Sequence, residues 1–268
     1  MKHTFVICAY KESPYLEECI RSLKAQSVPS ELILATSTKG PFLEELCRKY
    51  EISYQVRNGQ SGIAPDWNYA FSLAKTKYVT IAHQDDRYEK DYAKEMIEWM
   101  ERVDNPLISF SDYAEIRDGQ ICEKGRNLAI KRLLLTPLKQ LSGAGKKGRK
   151  RFALRFGNAI CCPSVTYNKE KIEEYLKEEG REELFLEHFR SNLDWQTWEW
   201  LSRKEGAFVY VPKRLMCHRI HEDSETTATI KDHQRKCEDY EMFCKFWPKS
   251  IAKCITGWYG KSEDDNQV

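Results

Sequence analysis

Between residues 5 and 85, short runs of strand-forming residues alternate with amphipathic stretches of helical period, and few folds accept that order. Residues 5–9 (Phe-Val-Ile-Cys-Ala) read as a first strand. Ser13 and Pro14 then suit the N-cap and first position of a helix. Leu16, Cys19, Ile20 and Leu23 share one face of it. Residues 31–35 form a second strand, and Gly40-Pro41 opens a helix that turns Phe42, Leu43, Leu46 and Tyr50 inward. Residues 52–56 are a third strand. A turn-rich loop over 58–62 leads into a helix over 65–75 and a fourth strand beginning at Tyr78. This alternation predicts an α/β fold with a mainly parallel sheet, right-handed crossovers and flanking helices.

The fourth strand stops at two adjacent carboxylates, Asp85 and Asp86, and a helical pattern follows over 88–103. Open α/β sheets bind ligands just outside the carboxyl ends of their strands. Neighbouring carboxylates repel unless a cation or hydrogen-bond donors neutralise them. Oxygen ligands of this kind suit Mg²⁺ or Mn²⁺ shared with a substrate diphosphate. An Asp-Asp pair by itself is commonly a solvated turn, so the rest of the chain must decide its meaning.

Residues 106–113 are a further strand, and Asp118-Gly119 has the chemistry of a hairpin turn. From Asn127 the alternation ceases. Helices are expected over 127–141, 169–177 and 184–204, strands over 160–167 and 208–212, and a last helical segment over about 229–258. Residues 142–151 read as a glycine-rich basic loop, with five cations in the six positions 146–151. No repeat or long linker separates independent domains. The 43 basic and 41 acidic residues leave a net charge of +2, which gives no reason to expect a nucleic-acid partner. No apolar run reaches the roughly 20 residues of a membrane helix, and the N-terminus lacks a signal pattern. The ten cysteines include no C-x-x-C pair and read as reduced core thiols. Together these features point to a cytoplasmic α/β protein.

The ordered pieces resemble a family 2 glycosyltransferase of the GT-A fold, over roughly residues 3–225. The opening strand with Ala9, Tyr10 and Glu12 is similar to the family's first strand, and Tyr15 to Gln26 to its first helix. Gly62, Ile63, Ala64, Asn68 and the small residues to Ala74 are similar to its next loop and helix. His83-Gln84-Asp85-Asp86 is a variant of the aspartate-x-aspartate motif. Asp194-Trp195 and Arg219-x-His221 resemble its later catalytic and C-terminal motifs. The chain departs from the family twice. His83 stands where an aspartate is usual, and Ala35-Thr36-Ser37-Thr38 replaces the usual Asp-Asp-Gly-Ser. The second departure leaves hydroxyls such as that of Thr36 to meet the nucleobase.

The resemblance implies an inverting, metal-dependent transfer of a sugar from a nucleotide-diphospho-sugar to a hydroxyl acceptor. The context it suggests is surface polysaccharide or glycolipid assembly. It implies Asp194 as the base, and Mn²⁺ or Mg²⁺ held by Asp85 and His221. It also implies donor contacts from Ala9, Tyr10, Glu12, Thr36, Asp66, Asn68, His83, Gln84, Asp85, Asp86 and Arg219. Domain organisation follows: a transferase domain over 1–225, split into a nucleotide-sugar half (1–115) and an acceptor half (116–225), and a helical tail over 226–268. The basic loop and the tail face of Phe243, Trp247, Ile251, Cys254 and Trp258 suggest peripheral contact with the inner membrane surface. The rival readings are a nucleotide-sugar-binding scaffold without activity and a nucleotidyltransferase of related fold. The latter would need a glycine-rich basic signature after the first strand, which Tyr10-Lys11-Glu12-Ser13 lacks.

Overall fold

The computed structural model describes residues 1–221 and 233–264. Its first half follows the alternation. The strands β1 (His3–Ala9), β2 (Glu31–Thr36), β3 (Ser53–Val56) and β4 (Tyr78–His83) lie parallel in the order β3-β2-β1-β4. Between them run α1 (Leu16–Lys24), α2 (Pro41–Lys49) and α3 (Ile63–Leu73). The register sets Ala9 beside Thr36, Cys8 beside His83 and Thr36 beside Val56. All four strands therefore end level, and their carboxyl ends form one continuous edge.

Beyond β4 come β5 (Arg87–Tyr88), α4 (Tyr92–Met100), β6 (Pro106–Arg117), β7 (Gln120–Cys122) and α5 (Arg126–Leu134). Then follow α6 (Lys147–Leu154), β8 (Val165–Asn168), α7 (Lys169–Glu178), α8 (Leu193–Ser202) and β9 (Ala207–Ile220). The helices α9 (His233–Cys244) and α10 (Lys249–Asp264) complete the chain. One sheet holds every strand, in the order β3-β2-β1-β4-β8-β6-β9-β5, with β7 hairpinned onto β6. β8 is antiparallel to both its neighbours, while β6 and β9 run parallel. At the hairpin, Asp118 and Gly119 take φ of 49° and 77°, the left-handed pair that a tight primed turn needs.

Several elements differ from the pattern in the sequence. The start of the expected 88–103 helix is strand instead, because Arg87 and Tyr88 pair with Cys217 and Met216. The strand expected to stop at Pro212 continues to Ile220, and register shifts between Ser111 and Tyr113 let it pass the proline. This continuation carries His218 and Arg219 back to β4. The expected 184–204 helix is only α8, and 127–141 is α5 followed by short 3₁₀ turns.

The basic loop is also different: residues 147–151 belong to α6, and Arg149, Lys150 and Arg151 are engaged within the fold, whereas Lys146 and Lys147 are exposed. Lys150 is fully buried and donates to the carbonyls of Lys204 (2.6 Å) and Gly206 (2.8 Å). Arg151 pairs with buried Glu199 at 2.5 Å and donates to the Lys245 carbonyl at 2.7 Å. Arg149 reaches the Pro137 carbonyl at 3.4 Å. These three cations are engaged in packing and do not form a lipid-tracking surface.

The tail belongs to the same core. Met242, Phe243 and Ala252 are fully buried, and Trp195 meets Phe243 edge-to-face at 5.1 Å. Trp247 donates to the Arg155 carbonyl at 2.8 Å. Gly157, with φ of 142°, lies so close to Tyr259 that a Cβ there would sit 2.6 Å from the ring. Phe243 and Trp247 thus face inward, whereas Ile251, Cys254 and Trp258 are exposed. Deleting the chain after residue 245 removes the buried Ala252 and the half-buried Trp247 and Tyr259, all packed on the core. Losing one packed tryptophan alone costs about 4 kcal/mol, which corresponds to a Tm drop of about 10 °C in a domain of this size. Calorimetry checks this; an unchanged Tm would show that the tail is an appendage. Among the described residues, no helix is long and apolar enough to cross a membrane.

Candidate active site

The two carboxylates after β4 have separate environments. Asp85 faces the open edge. Its Oδ1 accepts from the Ser13 hydroxyl at 2.6 Å, and its Oδ2 lies 3.3 Å from His221 Nε2. Asp86 points into the fold and is 1% exposed. Its Oδ1 accepts from the Arg219 backbone N–H at 2.9 Å and contacts His218 Nδ1 at 3.0 Å. Asp86 therefore ties the end of β4 to β9, whereas Asp85 stays at the open edge. Burial pulls the His218 pKa down, but the charge and hydrogen bond of Asp86 outweigh it, so the net shift is upward. Asp86→Ala would leave these buried donors without an acceptor and should cost roughly 3 kcal/mol, read as a lower urea midpoint. An unchanged midpoint would remove Asp86 from this role.

α1 starts at Leu16; ahead of it the Ser13 hydroxyl accepts from the Tyr15 N–H at 3.3 Å and donates to Asp85, so it joins the helix entry to the strand edge. Arg219, expected at the diphosphate, is engaged within the protein. Its Nε donates to the Asp85 carbonyl at 2.9 Å and its Nη2 to Glu18 at 2.6 Å, with the guanidinium 4.2 Å over the Tyr15 ring. Tyr15 in turn packs on His221, ring centroids 5.2 Å apart. His83 stacks on Trp67 at 5.2 Å and 27°. Burial lowers its pKa, so the ring is neutral, and its buried Nε2 has no hydrogen-bond partner among the described residues.

The remaining donor-edge residues form a braced rim. Gln84 mimics a strand partner: its Oε1 accepts from the Tyr10 N–H at 3.0 Å and its Nε2 donates to the Tyr10 carbonyl at 3.2 Å. Tyr10 itself is exposed, as is Glu12, while Ala9 is buried beneath them. Lys11 takes a left-handed φ of 56°, and its N–H meets the Thr38 hydroxyl at 2.6 Å. Thr36 is buried, and its hydroxyl accepts from the Thr38 N–H at 3.0 Å. It shapes the loop and does not project from it. Asp66 is held by Arg57 Nε at 2.7 Å and the Ser37 hydroxyl at 2.8 Å, so it joins two loops of the rim to the first turn of α3. Asn68 lies elsewhere. Its amide exchanges two hydrogen bonds with the Phe185 backbone, at 2.8 and 2.9 Å, and lines a cavity of about 280 Å³ with Phe71, Arg181 and Leu184.

Asp194 occupies the first turn of α8, and it is the one residue of that helix that is not buried. α8 carries two carboxylates: Glu199 is buried and neutralised by Arg151 and Arg203, whereas Asp194 is held by the uncharged donors Asn158 and the Trp195 N–H. Its Oδ1 accepts from the Trp195 N–H at 2.7 Å and its Oδ2 from Asn158 Nδ2 at 2.6 Å. Burial raises its pKa above the ordinary carboxylate value, although those two bonds and the charges of Lys131 and Arg235 pull the other way. Lys131 donates to the Tyr113 hydroxyl at 2.9 Å, and its charge reaches both Asp194 and His218. The buried Cys161 thiol senses Lys131, Asp86 and Asp194 together. The carboxylates of β4 and of α8 therefore share one electrostatic neighbourhood. Asn158, Lys131, Trp67 and Ser13 escaped the sequence reading: an isolated polar or aromatic residue carries no periodic or spacing signal.

Among the described residues, no three His, Cys, Asp or Glu side chains converge as a metal cage. Asp85 and His221 converge as a pair. Adjacent ligands at about 2.1 Å on an octahedral ion stand about 3 Å apart, close to the 3.3 Å between Oδ2 and Nε2. One carboxylate and one imidazole fit a divalent ion that takes its other ligands from substrate and water.

The fold is shared with solved glycosyltransferases. S. aureus TarS residues 1–349 in complex with UDP-GlcNAc superimposes with a TM-score of 0.64 at 13% identity, covering 96% of this chain and 70% of that one. The mannosyltransferase PcManGT from Pyrobaculum calidifontis, in complex with GDP-Man and Mn²⁺, gives 0.63 at 13% identity, covering 97% and 69%. Against the longer TarS structure the TM-score is 0.60 at 14% identity; 95% of this chain is covered but only 42% of that one, so the chain spans about two-fifths of its length. No curated protein matches the sequence. Residues 4–176 match the profile of Glycosyl transferase family 2, and with that match over most of its length, on a GT-A fold, the chain belongs to this glycosyltransferase family.

Proposed function

We propose that this glycosyltransferase moves a sugar from a nucleoside-diphospho-sugar to a hydroxyl acceptor with inversion at the anomeric carbon. Asp194 acts as the base, and Asp85 with His221 forms a divalent-metal site. The observation that carries the reading is α8, buried throughout except at Asp194, in the same electrostatic neighbourhood as the carboxylates after β4. The donor sits along the level strand ends. Tyr10 and Glu12 project beside it, and Ala9, Thr36, Asp66 and Gln84 shape its loops. His83 lies at its inner end, with Trp67 behind. Asp86 and Arg219 serve the donor indirectly, by holding Asp85 and the β9 end in place.

A bound Mn²⁺ or Mg²⁺ would neutralise charge growing on the departing diphosphate. The protein's own part is the proton. Asp194 Oδ2 accepts it from the acceptor hydroxyl as that oxygen attacks, and a raised carboxylate pKa makes it a better base. Asn158 and the Trp195 N–H fix the direction in which that carboxylate points. Attack from the side opposite the leaving diphosphate inverts the centre. A UDP-GlcNAc complex and a GDP-Man–Mn²⁺ complex among the similar structures support a nucleotide-sugar donor and a divalent ion. A role in surface-glycan assembly follows from the family resemblance.

A thermal-shift panel of UDP- and GDP-sugars with and without Mn²⁺ tests the reading. One nucleotide class should raise Tm in a metal-dependent way, since a ligand at 100 times its Kd stabilises by about 2.7 kcal/mol. Turnover of that donor should follow. Tight nucleotide binding without turnover of any donor would favour the inactive scaffold.

A further inference from the structure

α9 presents two adjacent carboxylates to the start of α8, and one of them takes the backbone. Glu238, 6% exposed, accepts the backbone N–H groups of Arg190 (2.9 Å), Ser191 (2.8 Å) and Asn192 (3.0 Å). Next to it, Asp239 Oδ1 accepts from Asn192 Nδ2 at 2.8 Å. These N–H groups lie just ahead of the first helical turn and have no acceptor within the helix. A negative charge there also complements the helix dipole. Asp194 follows two residues after Asn192. The approach to α8, over residues 184–192, has no regular structure, so its course depends on such anchors. Arg235, Glu238 and Asp239 fall on one face of α9 by helical spacing, and Arg235 places a charge that acts on Asp194.

We propose that Glu238 is the positioning residue for Asp194: α9 clamps the backbone entry to α8 and so fixes where the base presents its carboxylate. The proposal rests on the reading of Asp194 as the base. Without Glu238, three N–H groups at the helix start lose their acceptor and the entry to α8 relaxes. A displacement of about 1 Å at a reacting group costs on the order of 100-fold in rate, while the donor edge, on β1 to β4, is untouched.

The test compares Glu238→Ala, Glu238→Gln and Asp194→Asn in the full chain. UDP or GDP affinity with Mn²⁺ is measured by calorimetry, and turnover by nucleotide release from UDP-GlcNAc and GDP-mannose. Glu238→Ala should lower kcat by about 10- to 100-fold with nucleotide Kd unchanged within about twofold. Glu238→Gln keeps the shape and one acceptor oxygen, so it should fall between this and the parent, and it carries the test should the alanine variant not fold. Unchanged kcat in Glu238→Ala, with Asp194→Asn inactive, overturns the clamp alone. A parallel loss of nucleotide binding and turnover also overturns it, since that is what a merely structural residue would give. Parent-level turnover in Asp194→Asn overturns the base reading itself.

Discussion

Asp85→Ala should abolish the metal-dependent part of nucleotide binding and leave the fold intact. Asp85 sits at the open strand edge with its side chain 22% exposed, and its side-chain partners Ser13 and His221 belong to the same edge and not to the core. Truncation therefore removes the carboxylate half of the proposed metal pair without leaving a cavity. Even altering a group that only supports a metal ligand costs about 10- to 100-fold in metal affinity, so loss of a ligand should exceed this. Titration of UDP and GDP with and without Mn²⁺ measures it. The parent should bind one nucleotide far more tightly with the ion, and the variant should bind equally weakly in both conditions. Metal-enhanced binding that survives in Asp85→Ala would sink the site. Asp86→Ala gives the opposite signature: it should lose stability, because Asp86 is the buried acceptor for β9. Two adjacent aspartates that look identical in sequence are thus separable by one pair of experiments.

What could be read in the sequence followed from how far each signal extends. The parallel half was legible because buried strands and amphipathic helices repeat over many residues, and β1 to β4 appear within one or two residues of their expected bounds. The motif residues were found by order and spacing, which the family resemblance interpreted. What escaped was partner choice. Nothing in the sequence says that Asn68 pairs with Phe185, 117 positions away, or that Arg219 meets Glu18 across 201. The Arg219–Glu18 contact depends on β9 running past Pro212, and a proline ordinarily marks the end of a strand. The basic run at 146–151 was legible only in part, for a related reason. A cluster of cations reads as solvated surface unless the acceptors are known, and the acceptors of Lys150 are carbonyls more than 50 residues away. Glu238 was hidden likewise, since its three donors lie over 40 positions upstream.

Asp194→Asn should lose transfer while keeping both the donor site and the fold. The substitution removes the basic oxygen and keeps the shape of the side chain. Its hydrogen bonds can be re-made. Asn158 presents Nδ2 to Asp194 Oδ2, and its own Oδ1 is a buried atom without a partner among the described residues. Rotating that amide by half a turn offers the oxygen to the new amide nitrogen, while Oδ1 still accepts from Trp195. The stability change can be signed. Asp194 has a raised pKa, chiefly through burial, so the folded state disfavours its charged form. That cost is fully present above the folded pKa and is relieved as pH falls through it. The neutral amide never incurs it, so the variant's Tm at neutral pH should equal or exceed the parent's, and the gap should close in acid. General-base assistance is typically worth 10²–10⁴-fold, and kcat should fall by about that factor with nucleotide Kd unchanged. In the parent, turnover should decline as pH drops through the Asp194 pKa, and that limb should vanish in the variant's residual rate. Transfer at the parent rate, or an unaltered acid limb, would assign the proton to another group. A stable, donor-competent enzyme whose kcat is reduced and whose acid limb is gone is the signature expected of a base in this position.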